Sequence, residues 1–212
     1  MRAARRATYN WSMRKAFFSA VLLSMASLAA GPKFDPDKMI GGANAPITLE
    51  VFSSFDCPHC RIFNEEIAPR LMNDYVLRGK LCLVSREFPL PAPAHPYAHD
   101  VAVYATAAAR LGKYKLVADT MFRTQGGWAL TGKWWEAMAS VLTAEEQKKV
   151  QALAKDPGVL AEVQHDLEQG ERDGVNSTPT VFITAHGQRT ALPPGSPNYD
   201  LLKSLLDNSL SR

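Results

Sequence analysis

The order of hydrophobic and polar positions along this chain predicts a mixed α/β protein. Residues 47–54 (ITLEVFSS) are β-prone and largely apolar, as expected of a buried central strand. From Pro58 to Arg78 the apolar side chains return with helical spacing, and Pro69 inside this helix should kink it. Residues 81–85 (LCLVS) predict a second strand. A strand, a helix and a second strand imply a right-handed crossover and a parallel strand pair.

The middle of the chain is helical in character, and a short β region follows it. After a proline-rich turn at residues 89–96, helical spacing recurs at residues 101–111, 116–122, 134–142, 144–153 and 159–171. The next predicted elements are a strand at 180–184 (TVFIT), a turn at His186-Gly187, a partner strand at 188–192 and a helix at 199–210. About eighty helical residues therefore separate the second strand from the third.

The first thirty residues have the layout of a secretory signal peptide. Met13-Arg14-Lys15 is basic, residues 16–26 are apolar, and Ser27 and Ala29 are small residues at the −3 and −1 positions of a cleavage site. The apolar run is short for a membrane span, which needs ~20 residues, so an uncleaved membrane anchor is the less favoured alternative. We expect residues 1–30 to be removed and Met13 to be the true start of translation.

Removing this segment changes the charge of the chain. Residues 1–30 carry five basic and no acidic residues, which leaves 19 basic against 21 acidic residues and a formal net charge of −2. No basic footprint for nucleic acid remains, so we expect no nucleic-acid partner. Residues 31–46 are rich in Gly, Pro, Asp and Asn and predict a linker or leading arm.

Two of the three cysteines form a Cys-Pro-His-Cys sequence between the first strand and its helix. Cys57 stands where unpaired N–H groups and the helix dipole favour an anion, so the pKa of its thiol should fall. Pro58 suits the first turn of a helix, and His59 adds a dipole or a positive charge that further favours the thiolate. Cys60 lies one turn later on the same side. The spacing indicates a nucleophile with a resolving thiol.

A structural disulfide and half of a zinc site are the alternatives for this pair. A tetrahedral zinc site needs a second pair of ligands, and neither Cys82 nor the scattered histidines have ligand spacing. We therefore expect neither a metal nor another cofactor. Cys82 lies mid-strand between two leucines, which predicts a small buried core residue.

Two segments together resemble the active-site segments of thioredoxin-fold oxidoreductases: residues 41–60 (GGANAPITLEVFSSFDCPHC) and 174–183 (GVNSTPTVFI). The CPHC tetrad, the REFPL sequence at 86–90 and the long helical stretch most resemble the DsbA family, over about residues 41–210. The resemblance implies an α/β thioredoxin fold with an inserted helical domain. The corresponding boundaries are residues 47–91 and 176–211 for the thioredoxin-fold domain and 92–175 for the insertion.

The resemblance also implies a role for each site residue. Cys57 matches the family's exposed nucleophile, Cys60 its resolving cysteine, and Thr178-Pro179 its cis-proline loop, which pairs with substrate peptide. Thr178 departs from the valine that is typical there. Val51 stands where the family has a buried acid, and Glu50 is one residue out of register, on the other face of the strand. We favour an ordinary strand-end charge for Glu50.

The resulting functional prediction is a thiol–disulfide oxidoreductase that introduces disulfide bonds into exported proteins. We expect a periplasmic or other extracytoplasmic location, unfolded or reduced exported proteins as substrates, and a membrane quinone-coupled partner as the reoxidant. A monomer is favoured, because a dimerisation domain has no room in residues 31–46. The alternatives are a disulfide isomerase or reductase on the same fold, and a peptide-binding, chaperone-like module without turnover.

Overall fold

The computed structural model describes residues 34–193 and 197–211 of the 212-residue chain. The predicted signal peptide, including Met13, lies outside the described residues. In the described part, strands and helices mix as the sequence pattern predicts, which confirms the α/β class.

A five-stranded sheet in the order β1-β3-β2-β4-β5 forms the centre of the fold. The strands are β1 (Met39–Ile40), β2 (Ile47–Ser53), β3 (Leu81–Glu87), β4 (Thr180–Ala185) and β5 (Gln188–Ala191). Strands β2 and β3 are parallel, with Ser53 opposite Glu87, and the other neighbours are antiparallel. The parallel pair is the one that the crossover predicts. Both central strands end at the same edge of the sheet, and the chain turns from β2 into the cysteine segment there.

The helix after β2 accommodates its internal proline with a wide, π-helical turn. It begins as α1 (Pro58–Ile62), continues through a π-helical turn (Phe63–Ile67) into α2 (Ala68–Leu71), and ends in a second π-helical turn (Met72–Val76). Pro69 has no N–H and its ring clashes with a tightly wound preceding turn. The wide turn before it, closed by the bond from the Ala68 N–H to the Phe63 carbonyl, relieves that clash. The structure thus shows a widened turn before Pro69, and the kink itself stays a prediction.

Six helices lie between β3 and β4, and a last helix follows β5. They are α3 (Ala98–Ala109), α4 (Tyr114–Arg123), α5 (Gln125–Thr131), α6 (Trp134–Ala139), α7 (Ala144–Leu153), α8 (Pro157–Arg172) and α9 (Tyr199–Leu210). The sequence pattern missed α5 because Gly126 and Gly127 weaken its helical signal. Its buried Trp128 belongs to the apolar core that the inserted helices share with Phe55, Cys57 and Cys60.

The segment predicted as a linker is structured from Phe34 onward. It forms a 3₁₀ turn (Pro36–Lys38) and then β1, which pairs with β3. The Lys38 side chain is only 1% exposed, and its ammonium group donates to Asp166 at 2.7 Å. The composition of this segment favoured an arm without regular structure, because a buried ion pair between residues so far apart leaves no local signal in the sequence.

Candidate active site

Cys57 occupies the N-cap position of α1. Its backbone is extended, with φ −79° and ψ 121°, and its carbonyl accepts the first helical hydrogen bond, from the Arg61 N–H at 3.2 Å. Pro58 takes the first helical position, where the missing N–H costs nothing. Pro58 and His59 are exposed, whereas Cys57 is 5% and Cys60 1% exposed. Both cysteines are free thiols in this structure, and Cys57 is far less exposed than the resemblance implies.

The two thiols have pKa values shifted in opposite directions. A hydrogen bond from the Cys60 thiol, then Thr178 and the backbone N–H groups of Cys60 and His59, lower the Cys57 pKa to about 5, against the effect of burial. Burial, and then the hydrogen bond to Cys57, raise the Cys60 pKa well above its ordinary value, although the Ser53 side chain opposes this. Cys57 is therefore the thiol that ionises first, as its place at the helix start predicts.

The loop before β4 faces Cys57. The Thr178–Pro179 peptide bond is cis, as predicted, and the Cys57 thiol donates to the Thr178 carbonyl at 3.2 Å. Both loop residues are buried. The Thr178 side chain lowers the Cys57 pKa, yet its hydroxyl makes no hydrogen bond of ordinary geometry to any described residue. The structure thus brings together all of the residues that the sequence analysis placed in the site.

An acidic side chain beside the nucleophile is held by neighbouring residues. Asp56 accepts from the Ser54 hydroxyl at 2.6 Å, and one of its carboxylate oxygens lies 2.8 Å from His95 Nδ1. The Ser54 hydroxyl also accepts from the Leu90 N–H at 3.2 Å. These contacts tie the loop before Cys57 to the proline-rich turn after β3. His95 has no local sequence signal for this contact, because its partner Asp56 is 39 residues away in the chain.

The inserted helices also contact this loop. The Gln125 side-chain amide donates to the carbonyl oxygens of Phe55 and Cys57, at 2.7 and 3.0 Å. The ring of Phe122 packs on that of Phe55 with 5.0 Å between centroids. The sequence contained no signal for these contacts beyond the Cys57 motif itself, since they join residues about 70 positions apart.

The two faces of β2 differ in their chemistry. Val51 lines a cavity of about 440 Å³ together with Cys60 and Glu87. Glu50 lies on the opposite face, is fully buried, and binds Arg189 at 2.6 Å and Arg86 at 3.4 Å. The expectation of a strand-end charge at Glu50 is wrong: the residue sits mid-strand, and two arginines from other strands compensate its charge.

A different buried carboxyl group lies on the cavity side. Glu87, at the end of β3, is 1% exposed and accepts from the Tyr114 hydroxyl at 2.7 Å. Burial raises its pKa to about 7, although Lys38 and the Tyr114 hydrogen bond oppose the rise. Glu87, for which the sequence analysis proposed no role, is therefore the buried carboxyl group that shares this cavity with Cys60.

Within residues 34–193 and 197–211, no three His, Cys, Asp or Glu side chains are placed to hold a metal ion. In the same ranges no helix combines the length and apolar character needed to cross a membrane.

A sheet of this topology, with a Cys-x-x-Cys pair at a helix start and a cis-proline facing it, defines a protein of the thioredoxin-fold class. A family model described as Thioredoxin matches residues 34–208. The chain therefore belongs to that family, and its fold is that of the DsbA-like members with inserted helices. It is similar to the crystal structure of Wolbachia pipientis α-DsbA1, with a TM-score of 0.66 and 17% identity, covering 84% of this chain and 93% of that one.

The sequence relatives include a disulfide bond formation protein and a much longer antiporter. The chain is 23% identical to the probable disulfide bond formation protein D of Bacillus anthracis, covering 84% of this chain and 81% of that protein. It is also 30% identical over 152 residues to the Na(+)/H(+) antiporter NhaA 1 of Mycolicibacterium vanbaalenii, covering 70% of this chain. The chain spans only 23% of that antiporter, so the match concerns less than a quarter of the larger protein.

Proposed function

We propose that this protein is a thiol–disulfide oxidoreductase that introduces disulfide bonds into exported proteins through Cys57 and Cys60. The observation that carries the proposal is the opposite shift of the two thiols, with the Cys57 pKa at about 5 and that of Cys60 raised. A nucleophile that is stable as a thiolate favours the reduced form of the pair, which makes the disulfide form a good oxidant. The similarity to a disulfide bond formation protein supports the same reaction class.

The reaction follows from this asymmetry. A substrate thiolate attacks the Cys57 sulfur of the disulfide, forms a mixed disulfide and releases Cys60, which takes up a proton because its pKa is high. A second substrate thiolate then attacks the substrate sulfur of the mixed disulfide. The substrate disulfide forms, and Cys57 departs as a thiolate, for which its low pKa makes it a good leaving group. The enzyme ends with two electrons more, so an external oxidant must remove them.

The cis-proline loop provides a place for the substrate backbone. Thr178 and Pro179 immediately precede β4, and the Thr178 carbonyl lies 3.2 Å from the Cys57 sulfur. An extended peptide that pairs with this backbone would bring its cysteine to Cys57 by strand addition. The exposed Pro58 and His59 would form the rim of that contact.

The location and partners are part of the same proposal. The signal-peptide pattern of residues 1–30 supports a periplasmic or other extracytoplasmic location, where reduced or unfolded exported proteins are available as substrates. A membrane quinone-coupled partner would act as the reoxidant, and we expect the enzyme to act as a monomer.

The direct test is the oxidative refolding of reduced ribonuclease, compared with the rescue of scrambled ribonuclease. We expect the first activity to dominate and the reduction potential to lie nearer about −120 mV than about −270 mV. Cys57→Ser should abolish oxidation, Cys60→Ser should trap mixed disulfides, and Cys82→Ala should keep activity. A dominant rescue of scrambled ribonuclease would indicate an isomerase, and full activity of Cys57→Ser would indicate a peptide-binding module.

A further inference from the structure

One buried side chain from the inserted helices reaches the backbone of the redox motif. Gln125, the first residue of α5, is 5% exposed and donates both of its hydrogen bonds to the loop between β2 and α1. Its amide nitrogen lies 2.7 Å from the Phe55 carbonyl oxygen and 3.0 Å from that of Cys57. An amide nitrogen has two protons, so one side chain can satisfy two buried carbonyls.

These two carbonyls flank the point where the strand becomes a helix. The Cys57 carbonyl also accepts the first helical bond, from the Arg61 N–H at 3.2 Å. Gln125 therefore fixes the orientation of the peptide that follows Cys57, and with it the turn whose N–H groups reach the sulfur. Those N–H groups, on His59 and Cys60, are among the groups that stabilise the thiolate.

We propose that Gln125 is a positioning residue that makes the Cys57–Cys60 pair more oxidising by holding the first turn of α1 in the geometry that stabilises the Cys57 thiolate. This proposal rests on the proposed function only in linking a more oxidising cysteine pair to disulfide formation. The physical reason lies in the difference between the two redox states. In the disulfide, a covalent bond to Cys60 holds the Cys57 sulfur. In the reduced form the position of the sulfur depends on hydrogen bonds alone. A more mobile first turn of α1 therefore destabilises the reduced form more than the disulfide form.

A residue with a purely structural role would make the same contacts, and the chain contains a second glutamine that serves as a control for such a role. Gln147 also donates through its amide nitrogen to two carbonyl oxygens, those of Ala139 and Leu142, at 3.0 Å each. These bonds join α7 to the end of α6 and the turn after it and involve no residue of the redox motif. Loss of either amide leaves two carbonyls without that partner, and only the loss of Gln125 should affect the cysteines.

The experiment compares wild-type protein, Gln125→Met and Gln147→Met, since methionine keeps the length of glutamine without its donors. The readouts are thiolate absorbance of the reduced protein against pH, the equilibrium constant with glutathione, and thermal unfolding. Gln125→Met should lower the acid dissociation constant of Cys57 and shift the glutathione equilibrium toward the protein disulfide, each by about three- to tenfold. Gln147→Met should change neither quantity, while both variants lose thermal stability.

The inference would be overturned if Gln125→Met kept the wild-type Cys57 titration and glutathione equilibrium constant while losing thermal stability. Gln125 would then have a purely structural role. If that variant does not fold, Gln125→Asn serves the same comparison, because it keeps the amide and shortens its reach. Failure of the proposed function gives a different result: wild-type protein would not oxidise reduced ribonuclease. The glutathione comparison between wild type and variants would still decide the role of Gln125.

Discussion

Two regions of this molecule bury ionisable groups, and they stabilise them by different means. At the active site, the groups that lower the Cys57 pKa are a neighbouring thiol, backbone N–H groups and the Thr178 side chain, all of them uncharged. On the other side of β3, buried charges compensate one another: Asp166 accepts from Lys38 and from Arg86, at 2.7 Å each. The first region uses dipoles and the second uses ion pairs.

The difference follows from what each region must do. The negative charge of Cys57 disappears whenever the disulfide forms, and a buried cation placed to pair with it would then be left without its partner, at considerable cost. Backbone dipoles lose much less when that charge disappears, and the Cys60 thiol becomes part of the disulfide itself. The ion pairs of Asp166 with Lys38 and Arg86 involve neither cysteine and do not change when the disulfide forms, so direct pairing suits them. The comparison predicts that changes in the ion-pair region affect stability, whereas changes around Cys57 affect redox chemistry.

The largest effect should come from breaking the ion-pair region. Asp166 is 1% exposed and also accepts from the Glu87 N–H at 3.1 Å. Asp166→Asn should lower the free energy of unfolding by about 3–5 kcal/mol, because Lys38 and Arg86 lose a buried counter-charge. Chemical denaturation measures this loss. Asp119→Asn, which removes an exposed partner of Lys115, is the control and should cost at most about 1 kcal/mol.

The titration of Cys57 sharpens this prediction, since the folded Asp166→Asn protein should keep the wild-type value. A loss below about 1 kcal/mol in unfolding free energy, or a displaced Cys57 titration, would contradict the separation of the two regions.

Glu87 should produce the next largest effect, as a dependence of stability on pH. Its folded pKa of about 7 lies above the ordinary value of 4.5, so the native state binds more protons than the unfolded state between these values. The free energy of unfolding should therefore fall as the pH rises from about 4.5 to above 7, by a contribution on the order of 3 kcal/mol. Glu87→Gln should remove this contribution.

Unfolding free energies at pH 5, 6, 7 and 8 for wild type and Glu87→Gln test this prediction, with the pH values chosen to span about the titration range. Subtracting one profile from the other cancels the groups that both proteins share. Parallel profiles would show that Glu87 titrates normally, and the cavity that Cys60 and Glu87 line would then hold an ordinary carboxylate.

The sequence predicted those parts of the site and fold that depend on local signals. The Cys57-to-Cys60 spacing, the helix start and the proline before β4 indicate their structure within a few residues. The helices at Ala144–Leu153 and Tyr199–Leu210 lie where the periodicity predicts them. Each of these features is encoded by neighbours in the chain, which a pattern of residue types can represent.

The rest could not be predicted, because it depends on pairs far apart in the chain. Glu50 and Arg189 are 139 residues apart, and Lys38 and Asp166 are 128 apart. A buried charge violates the hydrophobic pattern unless its partner is known. Gln125 was missed for a related reason, since glycines obscured its helix and its acceptors are backbone carbonyls, which any residue type provides.

The redox state should change stability by a smaller amount. The Cys57 pKa of about 5 is below its unfolded value of about 8.5, so the thiolate contributes stability to the reduced form that is complete above the unfolded pKa and is lost as the pH falls through 5. We expect the reduced protein to be more stable than the oxidised protein by about 2–3 kcal/mol at pH 7, and the difference to grow between pH 5 and pH 8.

Thermal melts of both forms at each pH measure this difference, and Cys82→Ala is the control that leaves it unchanged. An oxidised form that melts higher at pH 7 would place the protein with reductases and would contradict the proposed direction of electron flow.

The smallest effect should come from Thr178, and it decides whether a hydroxyl contributes to the dipoles around Cys57. The thiol now donates to the Thr178 carbonyl, a contact that exists only while the thiol keeps its proton. Once Cys57 ionises, the Thr178 hydroxyl can turn its proton toward the sulfur, which favours the anion. Thr178→Val should lower the acid dissociation constant of Cys57 by about two- to fivefold, because valine has the same shape without a donor.

The matched control is Thr106→Val, since both hydroxyls are buried and neither has a hydrogen-bond partner among the described residues. Both substitutions should leave stability nearly unchanged, and only Thr178→Val should displace the thiolate titration. Equal titrations for the two variants would assign the low Cys57 pKa to the Cys60 thiol and the helix start alone.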